Sequence, residues 1–161
     1  PQIMPELTKI FGEYEVFSVE EQLYEEIKDS DTGYNFKGFI DLVIRTTDGK
    51  FHIIDWKTCS WGWDAKKKAD KYITYQLTLY KKFWCEKYEV DPKLVETHFA
   101  LLKRTVKKNN VEIFRVTSGP RKVENATKLL TNALIHISKQ HHVKDRRSCQ
   151  NCEFKKTEHC K

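Results

Sequence analysis

Gly38-Phe39-Ile40-Asp41-Leu42-Val43-Ile44, followed by Phe51-His52-Ile53-Ile54-Asp55-Trp56-Lys57, is the stretch from which the rest of the chain is read. Each run is apolar enough to be a buried strand, and each carries an acid where such a strand would carry a hydrocarbon. Between them, Thr46-Thr47-Asp48-Gly49 holds the Asp-Gly signal of a hairpin turn. The two strands, Phe36 to Arg45 and Phe51 to Lys57, are therefore expected to pair and to bring Asp41 close to Asp55. Period two puts Asp55 and Lys57 on one face. An acid two places before a lysine means little alone, since the chain has six such pairs: Glu26/Lys28, Asp48/Lys50, Asp55/Lys57, Asp64/Lys66, Asp91/Lys93 and Glu153/Lys155. Only Asp55/Lys57 follows an apolar run.

Two carboxylates and a lysine at the buried end of a sheet are costly unless compensated. A hard divalent cation compensates them. Mg2+ takes an octahedron of oxygens, and two carboxylates with one backbone carbonyl leave positions for water and a phosphate oxygen. A lysine alongside can orient or activate that water. Attack on phosphorus needs such a nucleophile and neutralisation of the phosphate charge. The competing reading, a solvent-exposed hairpin with ordinary surface charges, is disfavoured by the apolar runs that the acids interrupt.

Outward from this hairpin, residues 5–13 read as the end of a helix and Val16 to Ile27 as a long strand. Strict alternation would set Val16, Ser18, Glu20 and Gln22 on one face and Phe17, Val19, Glu21 and Leu23 on the other. Asp29 to Gly33 is turn chemistry. Cys59 to Asp64 is a loop with two tryptophans. Ala65 to Tyr88 reads as one long helix. Glu96 to Arg104 and Val111 to Thr117 read as strands, and 121–140 as a last helix with Val123, Leu130, Leu134 and Ile137 as its stripe. The order β-β-β-α-β-β-α is a mixed α/β layout around one central sheet, ending in a Cys-rich tail.

At 161 residues and 19.2 kDa the chain has the length of one domain. With 39% hydrophobic and 32% charged residues it is a globular composition, without an apolar run able to span a bilayer. No secretory signal opens it, and the absence of an initiator Met leads us to expect a processed or excised chain. The formal charge is +6, but residues 1–64 carry 6 basic and 13 acidic side chains and residues 65–161 carry 23 and 10. An acidic half beside a basic half suits a protein that holds cations in one place and a polyanion nearby, or merely two differently solvated surfaces. Five cysteines without a secretory signal argue against a disulfide framework.

Glu20, Gly38-Phe39-Ile40-Asp41, Asp55-Trp56-Lys57 and Gln76-Leu77-Thr78-Leu79-Tyr80 together resemble the PD-(D/E)XK nuclease superfamily, and within it the RecB-type exonuclease branch that includes phage and CRISPR-adaptation nucleases. The resemblance covers about residues 14–160 and implies a restriction-endonuclease-like core, a central mixed sheet flanked by helices. It implies a single domain over 1–161, with 1–13 a remnant of an N-terminal helix, 14–140 the nuclease core and 141–161 a metal or iron–sulfur tail. By the resemblance, Asp41, Asp55 and the carbonyl of Trp56 bind Mg2+ or Mn2+, Lys57 serves the water, and an upstream glutamate is a further ligand. Glu20 fits the family pattern, with Glu21 as its rival on the other strand face. Gln76 and Tyr80, one turn apart on a helix, would lie near the lysine and the DNA, the alternative being an ordinary amphipathic helix with a half-buried Tyr. Many relatives also carry a His, and often a Cys, ahead of the glutamate, and nothing of that kind precedes Glu20.

Trp61, Trp63, Lys66, Lys67, Lys68 and Lys71 combine aromatics with cations as a surface for single-stranded nucleic acid does. The alternative is that the tryptophans pack the loop onto the helix and the lysines are a solvated face. The tail has Cys149, Cys152 and Cys160 beside Arg146, Arg147, Lys155 and Lys156, soft ligands in a setting that lowers thiol pKa. The resemblance implies three of the four ligands of a 4Fe–4S cluster. A zinc site completed by His159, His141 or His142 is the alternative, and three reduced thiols is the third reading. The function expected is a metal-dependent DNA exonuclease, acting on single strands or duplex ends in phage or bacterial recombination, repair or processing. It would work in the cytoplasm, free of membranes, alongside recombination or replication proteins. The alternatives are a structure-specific endonuclease and a non-catalytic nucleic-acid-binding subunit.

Overall fold

The computed structural model describes residues 2–28, 32–141, 146–158 and 160. Helix α1 (Ile3–Phe11) leads into β1 (Tyr14–Glu26), β2 (Asn35–Thr46) and β3 (Phe51–Cys59). Helices α2 (Ala65–Ala69) and α3 (Lys71–Tyr88) carry the chain across to β4 (Val95–Lys103), and β5 (Val111–Val116) and α4 (Pro120–Ser138) follow. One sheet holds all five strands in the order β1-β2-β3-β4-β5. The pairs are antiparallel except β3 with β4, which is parallel from Phe51/Val95 to Cys59/Lys103. That parallel step is what requires the helical crossover, because a tight turn cannot join two parallel strands.

The turn after β2 is the hairpin expected of Asp48-Gly49. Gly49 takes φ 81°, its N–H donates to the Thr46 carbonyl at 2.9 Å, and Thr46 N–H donates to the Lys50 carbonyl at 2.9 Å. The Asp29–Gly33 turn lies partly outside the described residues.

Helix α3 covers one face of the sheet. Leu23, Ile40, Val43, Ile53 and Phe99 from four strands meet Leu77, Phe83 and Trp84, with Leu130 and Leu134 of α4 packed at the margin. On the opposite face Leu7 of α1 closes a smaller core with Leu42, Ile44, Ile54 and Ala100. Helix α1 thus seals the second face, two residues earlier than the span read from sequence.

Two expectations are corrected. The helix read as Ala65 to Tyr88 is two helices, because Asp70 takes an extended backbone and its carboxylate accepts the Tyr72 N–H at 2.8 Å, starting a new helix instead of continuing the old one. Strict alternation along β1 fails, since the register against β2 shifts between Val16 and Ser18. It fails on β2 also: Ile40 and Val43 both pack beneath α3, while Leu42 packs beneath α1. The phase of the strand changes at Asp41.

Candidate active site

Asp41 sits where the ladder opens. β2 and β3 pair from Arg45/Phe51 to Leu42/Ile54, and the next step would set Asp41 against Asp55. Instead the Asp41 carboxylate accepts the Trp56 N–H at 2.7 Å. On the other side β1 pairs with β2 at Val19/Leu42 and Glu21/Ile40, leaving Glu20 and Asp41 as the intervening positions. Glu20, Asp41 and Asp55 therefore occupy one row across three strands. Glu20 has φ 49°, a left-handed backbone that a glutamate adopts at a cost and that tends to persist where function requires it. Glu21 faces α3, where Lys87 holds it and the Tyr88 hydroxyl donates to it at 2.7 Å.

Asp55 is 3% exposed. Its Oδ2 is 2.7 Å from Lys57 Nζ, an ion pair whose angles miss a well-directed hydrogen bond. Burial raises its pKa above the ordinary carboxylate range; Lys57 pulls it back and Asp41 pushes it further up. A buried acid with an under-satisfied oxygen and a second acid alongside fits a cation, so the donor set suits a divalent ion. Lys57 lies at the mouth of the site, and its ammonium is 5.7 Å from the Phe99 ring.

Gln76 and Tyr80 share a face of α3, and the Gln76 amide donates to the Tyr80 hydroxyl at 3.1 Å. Tyr80 rests on Gly38, three residues before Asp41. A Cβ at position 38 would be 2.7 Å from Tyr80 Cε1. The glycine of one motif is thus the seat of the tyrosine of another.

The two tryptophans part company. Trp61 is 76% exposed. Trp63 packs on β4 and β5, with ring centroids 5.3 Å from Phe99 and 6.2 Å from Phe114. Lys67 lies over Trp63 at 4.7 Å and Lys71 over Tyr72 at 5.1 Å. Lys68 pairs with Glu112, which also holds Lys103 at 3.3 Å, so these two cations brace the loop. Lys66 is exposed.

In the tail, a 3-10 turn over Arg146–Asn151 carries Cys149, and Cys152 and Cys160 follow in turns. Cys149 and Cys160 are partly buried and Cys152 is exposed. Of the histidines offered as partners, His141 is exposed, while His142 and His159 lie outside the described residues. Cys59 ends β3, and Cys85 is buried in α3 with its thiol pushed up to about 11 by burial. Among the described residues, the one group of three potential ligands gathered within 4.8 Å is His52, Glu96 and His98, which sequence reasoning misses. The available signal was Glu96-x-His98, two ligand types at strand spacing.

A profile of the PD-(D/E)XK nuclease superfamily matches residues 4–157. No curated protein matches. Among solved structures, SSO0001 superposes with a TM-score of 0.55 at 18% identity, over 95% of this chain and 63% of its own. A protein of Eubacterium rectale described as a "Putative exonuclease" superposes with a TM-score of 0.56 at 13% identity, over 93% of this chain and 53% of its own. This chain spans less than two thirds of the length of either. At such identities these likenesses speak to the fold, and it is the restriction-endonuclease-like α/β arrangement that the resemblance implied. Among the described residues no helix is long and apolar enough to cross a membrane. The profile spans the sheet, its helices and both acid-bearing strands, and on that match the chain belongs to the PD-(D/E)XK nuclease superfamily.

Proposed function

We propose that this chain is the catalytic domain of a metal-dependent deoxyribonuclease that hydrolyses phosphodiester bonds from the ends of DNA. One observation carries the reading: Asp55 is buried beside Lys57 and next to Asp41, at the point where β2 and β3 part. In this reading Glu20, Asp41, Asp55 and the Trp56 carbonyl hold Mg2+ or Mn2+. The ion supplies neutralisation of the phosphate charge and lowers the cost of forming hydroxide. Lys57 orients the attacking water, with Asp55 keeping its ammonium in place. Asp41, by accepting the Trp56 N–H, fixes the backbone whose carbonyl faces the site. Gln76 and Tyr80 position the scissile strand beside Lys57.

The surrounding surface supports a nucleic-acid substrate. Trp61 offers a free face for a base, and Lys66, Lys67 and Lys71 offer cations to its phosphates. We propose residues 1–161 as one domain, with 14–140 as the nuclease core, 1–13 as the helix sealing its second face, and 141–161 as a tail in which Cys149, Cys152 and Cys160 supply three of the four ligands of a 4Fe–4S cluster. The setting proposed is bacterial or phage DNA processing in the cytoplasm.

The test is incubation of the protein with end-labelled linear and covalently closed circular DNA in Mg2+ or Mn2+. Loss of linear DNA alone, abolished by Asp55→Ala and by Lys57→Ala, is the expected outcome. Cutting of closed circles replaces the exonuclease with an endonuclease, and near-wild-type cleavage by either variant overturns the site. Iron analysis and a visible spectrum of anaerobically purified protein check the tail: broad absorption near ~400 nm is expected of thiolate-bound iron–sulfur.

A further inference from the structure

On the face of the sheet opposite Asp55, beneath α1, three ligand-type side chains converge from β3 and β4. His52 pairs with Glu96 in the parallel register, and His98 lies two residues along on the same face. His52 Nδ1 and His98 Nε2 are 3.1 Å apart. Glu96 Oε2 is 4.0 Å from the first and 3.9 Å from the second. The point in their plane equidistant from three atoms so spaced lies about 2.15 Å from each, against about 2.0–2.2 Å for zinc with nitrogen and carboxylate ligands, and an ion that takes a fourth ligand out of this plane needs Glu96 to close by only a few tenths of an ångström.

The protein alone satisfies this arrangement only between the two rings. The two imidazoles can share one proton between facing nitrogens, as a hydrogen bond. The carboxylate oxygen is beyond hydrogen-bond reach of both rings. Both histidine side chains are buried, at 7% and 5% exposure, so little water reaches them. An ion in the middle would take all three lone pairs.

The outer contacts are those of a ligand set. The far nitrogen of His52, Nε2, is 3.2 Å from Thr46 Oγ1, and Thr46 in turn donates to Asp48 at 2.5 Å. With the Thr46 proton engaged by Asp48, His52 donates its Nε2–H to Thr46, which leaves Nδ1 as a bare lone pair aimed at the gap. The other oxygen of Glu96, Oε1, is held at 3.3 Å by Arg115. Partners of this kind fix the tautomer of a ligating His and the angle of a ligating carboxylate. Phe11 closes the site from the α1 side, its ring 4.7 Å from His52 and 5.0 Å from His98. Glu96 and Arg115 also border an open groove shared with Lys81, Val95, Ser118 and Val123.

We propose that His52, Glu96 and His98 form a transition-metal site, zinc by preference, separate from the acids at Asp41 and Asp55. Three protein ligands leave one position for water. Two imidazoles with one carboxylate suit zinc or cobalt better than Mg2+, which favours oxygen. The ion would clamp the first halves of β3 and β4 together under α1.

The experiment uses the full chain with Cys149, Cys152 and Cys160 changed to Ser, so that tail thiols cannot bind the ion, stripped by chelator and kept in excess Mg2+. Equilibrium dialysis against Zn2+ is expected to give one zinc per chain and a higher Tm. Co2+ is expected to give tetrahedral d–d absorption without a thiolate charge-transfer band. Glu96→Gln, an isosteric change at a partly exposed position, is expected to lose the bound equivalent and the Tm gain together. Thr46→Val is expected to weaken binding by about tenfold, as outer partners of ligating histidines do. A serine background that takes up no zinc, or a Glu96→Gln protein that binds it as the parent does, overturns the proposal. His98→Gln, if it folds by circular dichroism and still binds one equivalent, overturns it as well.

Discussion

A carboxylate buried beside another carboxylate holds its proton more tightly than one in water, so ionising Asp55 opposes folding. Its pKa is raised in the folded protein. Stability is therefore lost as pH climbs from the ordinary aspartate value to the raised one, and stays lost above it. Asp55→Asn removes that loss. Without divalent metal, urea denaturation at pH 7 is expected to find Asp55→Asn more stable than the parent, with the difference vanishing near pH 3. Added Mg2+ is expected to raise the Tm of the parent and not of the variant. Gly38 makes an independent claim. Gly38→Ala drives a Cβ to 2.7 Å from the Tyr80 ring, and overpacking of this kind costs about 1–3 kcal/mol. Thermal melts check the cost, and cleavage assays are expected to show a loss beyond that in folded fraction, since Tyr80 carries Gln76 with it. Asp41, Asp55 and Lys57 were legible as neighbours in sequence because charge inside an apolar strand is conspicuous and because period two holds along β3, where Asp55 and Lys57 meet. Glu20 was harder to read. Its assignment rested on alternation, and a bulge and a left-handed residue break alternation in that strand. The dependence of Gly38 on Tyr80 spans 42 positions and has no local signal.

The break between α2 and α3 shows how an element is misread. Apolar periodicity runs through Asp70, but its side chain satisfies a backbone N–H of the next turn and the backbone turns extended. Capping is a contest between side chain and helix that spacing alone does not register. The same segment separates two kinds of lysine. Lys68 is committed to Glu112, whereas Lys66, Lys67 and Lys71 present their charge near the loop. Changing Lys66, Lys67 and Lys71 to Gln is expected to reduce the slope of log affinity for single-stranded DNA against log salt by about 0.7 for each phosphate that is no longer neutralised. Lys68→Gln is expected to leave that slope nearly unchanged and to loosen the loop instead, through Glu112 and Lys103. Fluorescence titration at several salt concentrations separates the two. Trp63 shows the same limit of sequence reading, because an aromatic beside lysines looks alike whether it stacks on a base or on Phe99.

At the scale of the molecule, the layout was legible because each step of the order β-β-β-α-β-β-α has a local cause: an Asp-Gly turn, a helix long enough to cross, a second hairpin. The second face was less so, since α1 contributes one fully buried residue, Leu7, from a short segment. The histidine pair beneath α1 had no signal beyond Glu96-x-His98, as 46 residues separate His52 from His98 and only the parallel register joins them. That pair has a consequence for the whole fold. Burial, with His52 and Arg115 adding to it, pushes His98 down to about 3, and burial lowers His52 too. Both are neutral when folded and protonate more readily when unfolded. Their contribution is fully present above pH ~6.5 and is withdrawn as pH falls, for His98 down to about 3, because the unfolded chain takes up protons that the folded one refuses. Denaturation midpoints of metal-free protein are expected to drop steadily across that window, and His98→Gln is expected to flatten the drop. The left-handed Glu20 and the register shift at Val16/Ser18 act at this scale as well. β1 is a 13-residue edge strand with Val16 and Val19 exposed, the profile of a template for a second copy to add itself. Two interruptions divide it, and the longest regular run left is Glu21 to Glu26. The left-handed residue in the row of acids thereby also shortens the length of edge that a second copy could pair with.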